Sequence, residues 1–362
     1  MDYKKLLMEL MKTFGPSGYE KPVATLFCQE MEKTADHVET DRAGNVIARY
    51  DGTNSSSPVI MAYAHMDSIG FIVRKIEEDG FIGLDRLGGV PEKVLPGKAL
   101  CVQTTDGQLI SGVIGGKSHH AVSPDEKYLV NKITELYLDI GASNSAHARE
   151  IGLEVGCPAT YQPSAIDLAG NFISGTFLDN RGGLVALAVA GELLKNNRPE
   201  STVYLVGTVW EEFNLRGATL AARSICPEIA ISLDAVLTGD TRDMESRYET
   251  SCGKGPVLVH YTFHGRGTLN GTLAHNGLSR LAVKSAAEKR RALQHFAGIG
   301  ILTDSAYVQL ENEGPAALEL GFPVRYTHTP TEVANVSDIQ LLGELLAEVI
   351  FLIDPCFDLK RY

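Results

Sequence analysis

Residues 59–64, VIMAYA, form an unbroken apolar run that ends on His65 and Asp67. A run of this kind reads as a strand buried on both faces, the type found inside parallel sheets. Such a strand needs neighbours in its sheet and helices above and below it, and the flanking sequence has the pattern to supply them.

The alternation of elements extends that expectation along the chain. MDYKKLLMELMKTFG reads as an amphipathic helix that stops at Gly15-Pro16-Ser17-Gly18, and a second helix follows from about Glu20 to Lys33. VETDRAGNVIARYDG reads as two strands around a turn. Further on come a helix at Asn180–Asn196, a strand at Thr202–Trp210, a helix near Ala218–Arg223 and a strand at Ile229–Leu233. PVLVHYTF, a helix around Ser279–Leu293, the strand PVRYTH and a helix from about Ser337 complete the series. Strands alternating with helices imply an α/β fold, a mainly parallel sheet sandwiched by helices. Between about Gly70 and Pro163 the pattern breaks into short β-like runs separated by Gly, Pro and Asp turns. The expectation is a small all-β domain, 69–163, inserted into an α/β domain made of 1–68 and 164–362.

Composition excludes several classes of function. The 362 residues carry 45 Asp and Glu against 33 Lys and Arg, for a net charge of −12. That argues against a sequence-independent grip on nucleic acid. No apolar run approaches the ~18–20 residues of a membrane helix. The charged N-terminal helix does not read as a signal peptide. Six scattered cysteines without a CxxC pair resemble neither a disulfide framework nor a cysteine zinc site. A reducing cytoplasm is the expected compartment.

In open α/β sheets, ligands gather at the carboxyl ends of the strands. Those ends carry His65 and Asp67 (AYAHMDS), Asp179 (GTFLDNRGG), Glu211 and Glu212 (VWEEF), Asp234 (ISLDA) and His328 (RYTHTPTEV). Singly, each has an ordinary reading: a hydrogen-bonded histidine, a helix cap, a turn residue or a solvated edge. Together they make a mixed imidazole and carboxylate set suited to Zn²⁺, Co²⁺ or Mn²⁺. One His with two Asp, beside one His, one Glu and a shared Asp, would form two neighbouring metal sites of the hydrolytic kind. Adjacent strand residues point opposite ways, so Glu211 and Glu212 are suited to different tasks.

The order His-x-Asp, Asp, Glu-Glu, Asp, His resembles that of the co-catalytic metallopeptidases of the MH clan. GPSGYE, DRAGNVIA, AHMDSIGFIV, LDNRGG, EEFNLRGA, GKGP, TDS and GFPVRYTHTPTEV are similar to the M42 aminopeptidases, and they span nearly the whole chain. The gap of about 110 residues between Asp67 and Asp179 leaves room for an inserted module where M42 relatives carry theirs. The resemblance implies a peptidase that removes N-terminal residues, with a free peptide N-terminus as its substrate. It implies that His65, Asp179 and Asp234 hold one metal and that Asp179, Glu212 and His328 hold the other. The metal would be Zn²⁺, with Co²⁺ or Mn²⁺ as alternatives. Asp67 would orient His65, and Glu211 would act as general base. The implied assembly is a tetrahedral dodecamer built from dimers.

The chain departs from the family pattern at Trp210, where many relatives have Gln, and at Asn180, where others have Asp. Trp210 could reshape the surroundings of the site or its specificity pocket. His119-His120 reads as structural, because adjacent residues rarely converge on one ion. Thr303-Asp304-Ser305 and the loop HGRGTLNG are candidate pocket walls. Glycoside hydrolysis is the competing enzyme class, but it needs two carboxylates and no metal pair. A non-catalytic scaffold would have no use for Glu211.

Overall fold

The computed structural model describes residues 2–244, 247–264 and 270–361. Its largest element is a twelve-stranded mixed sheet. Four strands at its centre run parallel in the order Val203–Thr208, Ile60–His65, Ile229–Leu237 and Ala316–Arg325. The flanks are antiparallel: Val46–Tyr50 and His37–Thr40 on one side, Glu332–Asn335, Phe172–Gly175 and Ala165–Asp167 on the other. Val257–His264 branches from Ala316–Arg325 and pairs with Asn270–Leu273 and Gln294–Ile299. Parallel pairing thus prevails at the centre, where crossover helices cover both faces, and recurs in the branch between Val257–His264 and Gln294–Ile299.

The opening apolar run explains why. Ile60, Ala62 and Ala64 face one core, packed by the helices Tyr3–Met11, Lys21–Met31, Leu178–Asn196 and Val336–Phe351. Met61 and Tyr63 face a second core under the helix Gly217–Ile225 and Val308. Ile60 to Ala64 are all buried, which is why the run is apolar without a break until it reaches His65.

Two strands differ from their sequence reading. Ile229–Leu237 continues past Leu233 because it stays in register with the longer Ala316–Arg325, so Asp234 lies within a strand, opposite Gly321. Ala316–Arg325 begins seven residues before PVRYTH; the buried Glu319 interrupts its apolar pattern, and Thr303 donates a hydrogen bond to that carboxylate.

The other body is a closed six-stranded antiparallel barrel, in the order Gly70–Ile76, Ile82–Leu87, Leu138–Asp139, Leu109–Ile114, Ala99–Gln103 and Pro158–Tyr161. Phe71, Leu84, Leu100, Val102, Leu138 and Tyr161 fill it. Pairing of its first strand with its last closes it and leaves no free edge.

Candidate metal centre

The four central strands run the same way, so their carboxyl ends share one rim of the sheet. His65 ends one of them, opposite Thr208 on its neighbour. After Thr208 the chain turns sharply through Trp210, whose φ of +60° lies in the left-handed region. Glu211 and Glu212 follow that turn. Asp179 precedes the helical residues of Leu178–Asn196, and its peptide bond to Asn180 is cis.

The two histidines are held alike. His65 Nδ1 lies 3.1 Å from the main-chain carbonyl of Asp67, and His328 Nδ1 lies 2.9 Å from that of Gly89. A ring N–H donated at Nδ1 leaves the Nε2 lone pair free. Both Nε2 atoms turn to the same carboxylate: His65 is 3.1 Å from Asp179 Oδ1, and His328 is 3.5 Å from Oδ2. Gly89 permits this approach, since a Cβ there would stand 2.9 Å from the His328 ring.

Around this axis the remaining acids divide. Asp234 lies 3.7 Å from His65 Nε2, while Glu212 lies 3.4 Å from His328 Nε2. His65, Asp179 and Asp234 bring ligand atoms within 4.8 Å of one another, and so do Asp179, Glu212 and His328. A third such group is His65, Glu211 and Glu212. His119 and His120 sit in an exposed turn and belong to none of the three groups.

Asp67 faces His65 and has a second task besides. Its carboxylate is 3.5 Å from His65 Nδ1, farther than its own carbonyl. Its two oxygens also accept the backbone N–H groups of Glu211 and Glu212, each at 3.0 Å, and Ser17 donates to it as well. Asp67 therefore fixes the main chain of the glutamate pair.

Glu332, which the sequence reading did not single out, does the same on the other side. Its two oxygens accept the N–H groups of His328 at 2.7 Å and Asp179 at 3.1 Å. Its position four residues after His328 was the available signal. Asn180 was noted only as a departure; its amide donates to the Leu233 carbonyl at 2.8 Å and accepts from Gly183 N–H at 3.0 Å. Trp210 lies outside the cavity wall, packed against the main core, and its backbone N–H donates to the Glu20 carboxylate.

The electrostatics are those of crowded carboxylates. Burial lifts Glu211 well above the ordinary range, and Glu212 and Asp234 add to the rise against the opposing effect of His65. Glu212 is pushed up to about 7 by burial, although His328 opposes the shift. Behind the site, burial raises Asp304, Glu319 and Glu332 to about 8. Burial disfavours a charged His65, yet Glu211, Asp179, Asp234 and Asp67 outweigh it and hold its pKa well above normal. Buried Arg181 stays cationic beneath the cluster; desolvation lowers it to about 10, against the pull of Asp67 and Glu20.

His65, Asp179, Glu211, Glu212, Asp234 and His328 line a cavity of about 680 Å³, within the ~300–1,000 Å³ usual for small-ligand sites. Thr303 reaches it, whereas Asp304 and Ser305 are buried behind, bonded to Thr208 and Tyr63. Of the loop 264–271, residues 265–269 lie outside the described residues.

Residues 44–345 match the M42 glutamyl aminopeptidase family. SgcX of Escherichia coli (strain K12) is 35% identical over 337 residues, 93% of this chain and 90% of its own length. An aminopeptidase from the archaeon Desulfurococcus kamchatkensis superposes with a TM-score of 0.91 at 33% identity, covering 98% of this chain and 95% of that one. The Pyrococcus horikoshii TET1 peptidase, which can assemble into a tetrahedron or a large octahedral shell, superposes at 0.84 with 26% identity over 97% and 100%. The chain is an aminopeptidase and belongs to the M42 glutamyl aminopeptidase family.

Proposed function

We propose that the chain removes N-terminal residues from peptides with a free N-terminus, using two divalent metal ions. The observation that carries this reading is Asp179, whose two oxygens each face the Nε2 of a different histidine. The donor set fits the ions: both imidazoles have Nδ1 against a carbonyl, and the surrounding carboxylates are short of positive charge. His65, Asp179 and Asp234 would hold one ion; Asp179, Glu212 and His328 would hold the other. Zn²⁺ is the first candidate, with Co²⁺ and Mn²⁺ as alternatives. Bound there, the ions would supply Lewis-acid polarisation of the scissile carbonyl and a water acidic enough to act at neutral pH.

Glu211 acts as general base. It takes the proton of the attacking water and returns it to the departing amine, so the carboxylate ends as it began. Its burial and the negative charge of its neighbours raise its proton affinity toward the working range. Asp67 keeps it in place through the backbone N–H, and Asp67 and its carbonyl together orient His65.

Residues 1–68 and 164–362 form the catalytic unit in this reading, and 69–163 serve assembly and substrate access. By analogy with the TET1 peptidase, the particle is a tetrahedral dodecamer built from dimers. Six free cysteines fit a reducing cytoplasm.

The test is peptide turnover before and after chelation, then with Zn²⁺, Co²⁺ or Mn²⁺ restored. Glu211→Gln is expected to lower kcat by ~10²–10⁴ while the bound metal, measured by elemental analysis, is retained. Full turnover in chelator, or in that variant, would refute the mechanism.

A further inference from the structure

The lining of the cavity holds two chemically different sets of residues. One is the acidic rim, with four carboxylates: Asp179, Glu211, Glu212 and Asp234. The rest of the described lining includes a set of apolar residues, Phe213, Leu215, Leu237, Ile301 and Leu302. The segment carrying Ile301 and Leu302 is tied to the neighbouring strand by Gly300 N–H donating to the Phe263 carbonyl at 2.7 Å. Outside the candidate metal centre, His264 is the one ionisable side chain among the described lining residues.

Charge decides what such a pocket can accept. Two divalent cations would balance the four rim carboxylates and leave no surplus of either sign. No Lys or Arg is among the described residues lining the cavity. Among the described residues, Arg216 lies over the Phe213 ring at 4.7 Å, and Arg86 donates to the Val90 carbonyl. An acidic side chain entering here would meet no Lys or Arg among the described lining residues. A basic one would have to leave water against leucine and isoleucine, since three of the four rim carboxylates would hold metal and Glu211 would take the proton of the attacking water.

We propose that this wall seats an uncharged apolar N-terminal side chain, so that leucine-, methionine- and phenylalanine-like residues are removed in preference to acidic or basic ones. The inference rests on the aminopeptidase reading above and adds its substrate class. Burying a leucine-sized side chain in place of alanine should raise kcat/KM by ~10- to 100-fold, and charged residues should fall below alanine.

The experiment uses the metal-loaded protein and leucyl, methionyl, phenylalanyl, alanyl, glutamyl and lysyl anilides. Apolar preference of that size supports the proposal. Best activity on glutamyl or lysyl substrate overturns it and leaves the aminopeptidase intact. Activity on none of the panel with any metal overturns the functional reading and this inference with it. Ile301→Lys, at a half-buried position, should cut leucyl turnover at least ~10-fold and raise the glutamyl-to-leucyl ratio. Leu302→Asn, of similar bulk, should weaken leucyl KM with less effect on kcat. If both variants keep the original leucyl kcat/KM, the wall is not the seat.

Discussion

Two carboxylates that face no substrate set the geometry of the site. Asp67 and Glu332 each accept two backbone N–H groups, one pair from Glu211 and Glu212, the other from His328 and Asp179. The four segments thus reach their places through main-chain bonds, and the side chains remain free for chemistry. Asn180 belongs to the same layer. Its buried amide needs both a donor and an acceptor, toward Leu233 and Gly183. An aspartate could satisfy Gly183 but would set a negative oxygen against the Leu233 carbonyl, beside Asp234. Asn180→Asp is therefore expected to destabilise this chain by about 1–3 kcal/mol in chemical denaturation. Unchanged stability would mean that the side chain can turn away from Leu233.

The helix Leu178–Asn196 carries the site on its leading residues and most of one core on its length. It lies close to the central sheet because Gly182 and Gly183 begin it. A Cβ at Gly182 would stand 2.3 Å from the Phe322 ring on Ala316–Arg325, a fully buried neighbour with no room to yield. Gly182→Ala should cost about 1–3 kcal/mol of stability and displace Asp179, lowering metal affinity as well. Isothermal titration with Zn²⁺, run beside a denaturation curve, checks both halves. The pair of glycines was visible in LDNRGG, but the ring they accommodate comes from a strand some 140 residues later. Elements were most legible where the apolar pattern was continuous, as in VIMAYA. They were least legible where a buried acid broke it, as Glu319 does, or where edge pairing with alternating exposure replaced it, as in Gln294–Ile299.

Across the molecule, the metal-free state carries many buried acids with raised pKa values: Glu212 at about 7, and Asp304, Glu319 and Glu332 at about 8. In the unfolded chain the same groups titrate near the ordinary value of ~4. Between those limits the folded state binds more protons than the unfolded one, so stability must fall as pH rises. The contribution is complete below the unfolded pKa and is lost by the time pH passes about 8. Calorimetry in chelator should therefore show a higher melting temperature at pH 6 than at pH 8. Restoring Zn²⁺ should flatten or reverse that slope, because the ligands bind it deprotonated. A chelated protein that melts higher at pH 8 would contradict the electrostatics of the site.

The sequence by itself determined the layered α/β architecture, the place of the β-rich insert and the set of seven polar residues at the rim. Each of those follows from local pattern: an apolar run, a change of periodicity, a charge where a strand ends. Only the tertiary structure decided how the seven divide. Asp179 lies between the two histidines, Asp67 grips the backbone of the glutamate pair, and Glu332 joins them from the far side. Apart from the bond between His328 and Glu332, these are distances between segments more than 100 residues apart, brought together on the shared rim of four parallel strands. Local sequence specifies which side chains leave a strand, but the sheet alone sets which of them meet.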